Sequence, residues 1–338
     1  MEYRKLGRTG VEVSSICLGC MNFGGKTDLE TSCRMIDAAI AHGVNFLDTA
    51  NVYSRGESEK VTGEALKRNG KRDEIVLATK VHGRMKDGEH QPNRYGNNRR
   101  MIIEECHNSL RRLQTDYIDL YQIHRPQRDV PIDETLRALD DLVRQGKVRY
   151  LGSSTFAAWQ CVESLWVSKE LGLNRFVCEQ PPYHLLDRRI ERELIPMAQT
   201  YGYALIPWSP LASGFLTGKY QRNAAPPADA RIAKQEHRQG MLENAAAFDI
   251  VEGLGKLAEA KGCTVSQLSL AWCRTQPGVT APIIGPRTPE QLADNLACLD
   301  VTLTDADRQA IDALSTPGDA AAPYYQADFG PHTHRSLG

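Results

Sequence analysis

The strongest constraint on this chain is a rhythm. Eight short apolar runs (ICLGCM, VNFLD, EIVLATK, DYIDLYQIH, KVRYLGSS, RFVCEQ, YALIPW and TAPIIG) alternate with amphipathic stretches at 30–42, 57–68, 100–113, 133–146, 156–171, 190–201 and 289–299. Several runs are apolar on both faces, as parallel strands covered by helices require. The stretches between them carry one apolar stripe, as in Leu136, Leu139, Leu142 and Val143. Gly43, Gly70, Gly146, Gly172 and Gly202 follow the predicted helices, where a left-handed residue ends a helix at least cost. Eight strand–helix units in one chain predict an α/β fold closed into a (β/α)8 TIM barrel.

No Pro-, Gly- or Ser-rich linker interrupts the beat, so residues 1–338 are expected to form a single barrel domain. Three stretches stand outside it. Residues 1–14 read as an N-terminal β-hairpin, 213–244 as a mobile surface loop with two adjacent prolines, and 301–338 as a C-terminal extension over the barrel. Helical spacing resumes at 245–261 and 264–275, which places two helices between the seventh and eighth strands.

A formal net charge of −1 gives no field to gather nucleic acid or an anionic membrane, and no apolar stretch is long enough to span one. Neither partner is expected, and the polar start MEYRKLGRTG fits a cytoplasmic chain. The nine cysteines are odd in number and scattered, which predicts reduced thiols. Cys17 and Cys20 form one C-x-x-C inside an apolar run, without a second pair to complete a zinc set, so no metal is expected. His332 and His334 in the tail read as solvated. A homo-oligomer is compatible with this composition.

Barrel enzymes carry their reacting groups at the C-terminal ends of strands, so polar residues that terminate apolar runs are the informative ones. Asp48 ends the second run, Tyr53 follows it, Lys80 ends the third and His124 ends the fourth. A phenol with an ordinary pKa near 10 is a poor acid at neutral pH. A Lys80 ammonium beside Tyr53 would favour the phenolate, and Asp48 would keep Lys80 charged. His124 would donate to a substrate oxygen. Such a set polarises a carbonyl and protonates the alkoxide, but holds no reductant, so hydride must come from a cofactor.

These residues lie in motifs that resemble the aldo-keto reductase family. GVNFLDTANVYSRGESEKVTGEALK is similar to its signature, with Asp48 and Tyr53 at the catalytic places; LATKV carries Lys80 and LRRLQTDYIDLYQIHRP carries His124. The resemblance covers nearly the whole chain and implies NADP(H) as cofactor and a small-molecule carbonyl or alcohol as substrate. It assigns the nicotinamide amide to Ser154, Thr155 and Gln180, and ring stacking to Trp208. Ser209, Leu211, Gly214 and Lys219 would follow the pyrophosphate, with Arg287 and Gln291 near the 2′-phosphate and Asn295 near the adenine. Thr155 stands where the family commonly has Asn, Gly285 where some members have Lys, and Gln291 where some have Arg.

Met21, Asn22 and Phe23 resemble the family's loop at the pocket mouth, with Phe23 and Met21 suited either to a substrate wall or to packing. Tyr324, Tyr325 and Phe329 in the tail would close over the pocket or over a neighbouring subunit. Two other functions fit the same residues. One is an auxiliary subunit that holds NADPH and turns over slowly; the other is a lyase or isomerase that uses Lys80 as a Schiff-base nucleophile.

Overall fold

The computed structural model describes residues 1–85, 92–227, 230, 232 and 240–323. A hairpin of β1 (Tyr3–Lys5) and antiparallel β2 (Glu12–Ser14) opens the chain, as the first fourteen residues predict. There follow β3 (Cys17–Gly19), α1 (Leu29–Ala41), β4 (Phe46–Asp48), α2 (Glu57–Asn69), β5 (Val76–Val81), α3 (Arg99–Leu113), β6 (Ile118–Ile123) and α4 (Ile132–Arg144). The second half holds β7 (Val148–Ser154), α5 (Ala158–Leu171), β8 (Phe176–Gln180), α6 (Leu194–Tyr201), β9 (Ala204–Leu205), α7 (Ala245–Ala260), α8 (Val265–Arg274), β10 (Ile283–Ile284), α9 (Pro289–Leu296) and α10 (Asp305–Leu314).

The eight strands β10-β3-β4-β5-β6-β7-β8-β9 lie side by side, every pair parallel. The ends of this sheet meet: Leu205 bridges Val279, and Ile283 N–H donates to the Pro207 carbonyl at 2.8 Å. The sheet is thus a (β/α)8 barrel. The five glycines after α1, α2, α4, α5 and α6 all have positive φ, from 64° at Gly172 to 86° at Gly43.

Side chains alternate between two cores, because successive strand residues point to opposite faces. Leu47, Leu77, Tyr121, Leu151 and Leu205 face the helices. Cys17, Phe46, Ala78, Leu120, Cys178, Ala204 and Ile283 fill the barrel's interior, which Leu6 and Val13 of the hairpin plug at the N-terminal end. Two residues further along β4, β5, β6 and β8 the inward positions become polar, at Asp48, Lys80, Gln122 and Gln180, and this change of layer positions the site.

Three boundaries differ from the sequence reading. α6 begins at Leu194 after a turn at Arg189–Glu191, which leaves Pro196 in the first helical turn, where a missing N–H costs nothing. Residues 301–338 were expected only as an extension, yet 305–314 form a helix. Its Thr304 side chain caps the Asp307 N–H, and the Asp307 side chain accepts from the Thr304 N–H in return. In the 213–244 loop, Phe215, Leu216, Tyr220, Ala230, Ile232 and Met241 are buried against the main core. Tyr324, Tyr325, Phe329, His332 and His334 lie outside the described residues. All nine cysteines are free thiols, eight of them buried. Among the described residues, no helix is long and apolar enough to cross a membrane.

Candidate active site

At the C-terminal end of the barrel, β4 delivers Asp48, β5 delivers Lys80 and the residue after β6 is His124. Lys80 is fully buried, and its three N–H bonds have three acceptors: an Asp48 carboxylate oxygen, the Thr49 carbonyl at 2.8 Å and the Tyr53 hydroxyl at 3.5 Å. Burial works against this ammonium, but Asp48 and Tyr53 outweigh it and hold the Lys80 pKa above its ordinary range. The Lys80 nitrogen therefore stays charged beside the phenol. The Tyr53 and His124 rings meet edge to face, with centroids 5.6 Å apart. Burial, then the charges of Lys80, Arg125 and His82, push the His124 pKa well below its ordinary value, so its ring is neutral at pH 7.

Tyr53 sits on a strained turn. Ser54, Arg55 and Gly56 follow it with φ of 48°, 57° and 93°. A Cβ on Gly56 would stand 2.7 Å from Arg112 Cδ, so glycine answers both the backbone and the close approach. Arg112 is held in turn by Glu59 at 2.5 Å and Glu105 at 3.1 Å, and Asn51 Nδ2 donates to that same Glu105 oxygen at 3.0 Å. This buried charge network braces the turn from beneath.

A cavity of about 830 Å³ runs outward from Asp48, Tyr53 and His124. Of the residues singled out by sequence, Met21, Asn22, Gln180, Trp208, Ser209, Leu211, Gly214, Lys219, Arg287, Gln291 and Asn295 line it. Asn22 Nδ2 also donates to the Gly285 carbonyl at 3.0 Å, tying the loop after β3 to the loop after β10. Fully buried Lys80 does not line it, nor do Phe23, Ser154 and Thr155. Phe23 is fully buried in the outer core, so its ring packs rather than forming a pocket wall. The Ser154 hydroxyl donates to the Gln180 carbonyl at 2.9 Å, and Thr155 Oγ1 accepts from Arg125 Nη1 at 2.9 Å; both residues lie behind the groups they support.

Two residues were missed by sequence. Gln122 is fully buried beside Asp48, and its position was signalled by phase, since Leu120, Gln122 and His124 all point inward. Arg125 lines the cavity 5.9 Å from the Trp208 ring and donates to the His124 carbonyl at 2.6 Å. Directly following His124 was its only signal.

The outer part of the cavity suits a long anionic ligand. Ser209, Ala212, Ser213 and Gly214 have φ of 55°, 47°, 57° and 89°, turning the backbone repeatedly along one wall. Turns of this kind gather N–H groups into anion-binding concavities. A Cβ at Gly214 would meet Lys219 Nζ at 3.0 Å, so glycine lets the lysine lie across the turn. Exposed Gly285 is clear on its outer side: a Cβ there would meet only Asn22 Nδ2, at 3.9 Å. Beyond it, Arg287 precedes the N-terminus of α9, capped by Thr288, and its N–H donates to Gln291 Oε1 at 2.9 Å. Charged, hydrogen-bonding and stacking groups thus follow one another along a single channel.

A parallel eightfold barrel with Lys80, Asp48, Tyr53 and His124 gathered at its C-terminal mouth defines a class of barrel oxidoreductase. The aldo/keto reductase family model matches residues 15–316, and the chain belongs to that family. It is 38% identical over 334 residues to the uncharacterized oxidoreductase YrpG of Bacillus subtilis, covering 96% of this chain and 99% of that protein. It is 37% identical over 308 residues to a probable voltage-gated potassium channel subunit beta of Oryza sativa, covering 89% and 92%. A putative channel subunit beta of Schizosaccharomyces pombe is 38% identical over 306 residues, covering 88% of each.

Proposed function

We propose that this protein is an NADPH-dependent carbonyl reductase, reversible to alcohol oxidation, acting as one barrel domain on small aldehydes or ketones. The observation that carries the reading is Lys80, buried without exposure, charged, and bonded at once to Asp48 and Tyr53. Bound NADPH would supply the hydride. Tyr53 then gives its proton to the developing alkoxide, and the Lys80 ammonium stabilises the phenolate left behind. Neutral His124 orients the carbonyl oxygen. The same burial and triple bonding speak against Lys80 as a Schiff-base nucleophile, which would need a free, neutral amine at the cavity surface.

Trp208 offers a face for the nicotinamide ring, Gln180 an amide for its carboxamide, Ser209–Lys219 a seat for the pyrophosphate, and Arg287 with Gln291 a site for the 2′-phosphate. Asn295 serves the adenine, and Met21 with Asn22 borders the substrate. Nine free thiols suit a reducing compartment such as the cytoplasm. The relatives named as channel subunits support a second reading, an auxiliary subunit that holds NADPH and turns over slowly. An NADPH-oxidation screen over aldehydes, ketones, quinones and sugar carbonyls separates the two. Turnover above about 1 per second with any of them supports the reductase; tight NADPH binding with no turnover on any supports the subunit.

A further inference from the structure

Inside the barrel one buried amide decides which face another can present. Gln122 and Gln180 each donate Nε2 to the same Asp48 oxygen, Oδ2, at 3.0 Å. Gln180 Nε2 also donates to Gln122 Oε1, again at 3.0 Å. Gln122 is fully buried and Gln180 is 2% exposed at the cavity wall.

The order of atoms in these amides is forced. Asp48 is ion-paired with Lys80, and a carboxylate only accepts, so both Nε2 atoms must face it. Gln122 Oε1 is then turned toward Gln180, where only an N–H can satisfy it. Both hydrogens of Gln180 Nε2 are committed, one to Asp48 and one to Gln122. What remains for the cavity is Gln180 Oε1, an acceptor.

We propose that Gln122 is a positioning residue that fixes Gln180 as an acceptor-only contact, so that the cavity selects a ligand group donating an N–H there. On the reading above, which this inference rests on, that group is the nicotinamide carboxamide. Without Gln122, Gln180 keeps its bond to Asp48 but can turn its second N–H toward the cavity. An acceptor-only ligand then finds a partner.

The test compares NADP+ with its 3-acetylpyridine analogue, which replaces the amide N–H2 by a methyl group. Dissociation constants are read from tryptophan fluorescence on the whole protein and on Gln122→Met, of similar volume. The wild-type protein is expected to prefer NADP+ about tenfold, the worth of one well-placed hydrogen bond. In Gln122→Met that preference falls to within about twofold. Gln122→Asn, whose shortened amide cannot span the gap, gives the same collapse and replaces Gln122→Met if the latter fails to fold. Equal binding of the two ligands by the wild type overturns the inference with no variant needed. A preference retained in the variants, with both ligands weakened alike, overturns it too, since that marks a merely structural residue. If the wild type binds neither NADP+ nor the analogue, the cofactor reading itself fails, a result distinct from either of these.

Discussion

The two ends of the cavity are held by different physics. At the inner end Asp48, Lys80 and Gln122 are 2%, 0% and 0% exposed, stand on neighbouring strands of one sheet, and satisfy one another's charges and hydrogen bonds. At the outer end Lys219 is exposed, Arg287 half-buried, and both stand on loops beside left-handed turns or a helix N-terminus. The inner groups suit charge that would appear only during reaction, because low dielectric makes fixed charges strongest. The outer groups suit a ligand that arrives already charged. On the proposed reading, chemistry belongs to the rigid end and cofactor selectivity to the loop-built end.

Losing Lys80 should have the largest effect. Lys80→Met leaves Asp48 buried with no cation, which costs about 3–5 kcal/mol in comparable buried pairs. The amides of Gln122 and Gln180 still donate to it, so urea denaturation should give a loss near the lower end of that range. Carbonyl reduction should fall at least a hundredfold. A variant as stable as the wild type would mean that the inner end is not the tightly coupled region described.

At the outer end, Arg287→Ala should weaken NADPH about tenfold or more by removing a charge-assisted phosphate contact, and leave NADH within about twofold. Fluorescence titration with both cofactors reads this directly. Equal losses for the two would remove Arg287 from the 2′-phosphate site.

A third effect is predicted behind the wall, where only the pH dependence of stability should change. Burial pushes the Glu179 carboxyl up to about 8, although Ser153 donates to it at 2.5 Å and the Phe156 N–H at 3.1 Å. A pKa raised on folding stabilises the protein fully below the unfolded value, about 4.5 here, and that contribution is lost as pH rises through about 8. Thermal melting of the wild type should therefore decline from pH 5 to pH 9. Glu179→Gln, which cannot ionise, should show a shallower decline and unchanged turnover. Parallel melting curves would indicate that this carboxyl is not protonated in the fold.

The sequence made the barrel legible because parity and period are local: strands apolar on both faces and helices with one stripe determine the layers, and a strand-ending Asp48 or Lys80 is visible by its position. Phe23 was harder, since a phenylalanine at a strand end suits a core and a pocket mouth equally, and only its packing separates them. Gln122 was hidden among residues read as a buried strand, though it shares phase with Leu120 and His124. Ser154 and Thr155 were identifiable as polar strand-end residues, but the partners that occupy their hydroxyls, Gln180 and Arg125, come from distant or differently oriented segments. The helix at 305–314 was obscured by its charge, its capping Thr304 being the available clue.

On the proposed reading, Tyr53 is the proton donor of a reductase whose cofactor binds elsewhere along the cavity. Tyr53→Phe removes one oxygen and leaves Trp208, Lys219 and Arg287 untouched. Its NADPH dissociation constant, from fluorescence titration, and its kcat for the best carbonyl substrate should be measured on the same preparation. A proton donor at Tyr53 predicts a dissociation constant within about twofold of wild type and a kcat lower by about 10²- to 10⁴-fold, the usual worth of a positioned acid; unchanged kcat would contradict that role.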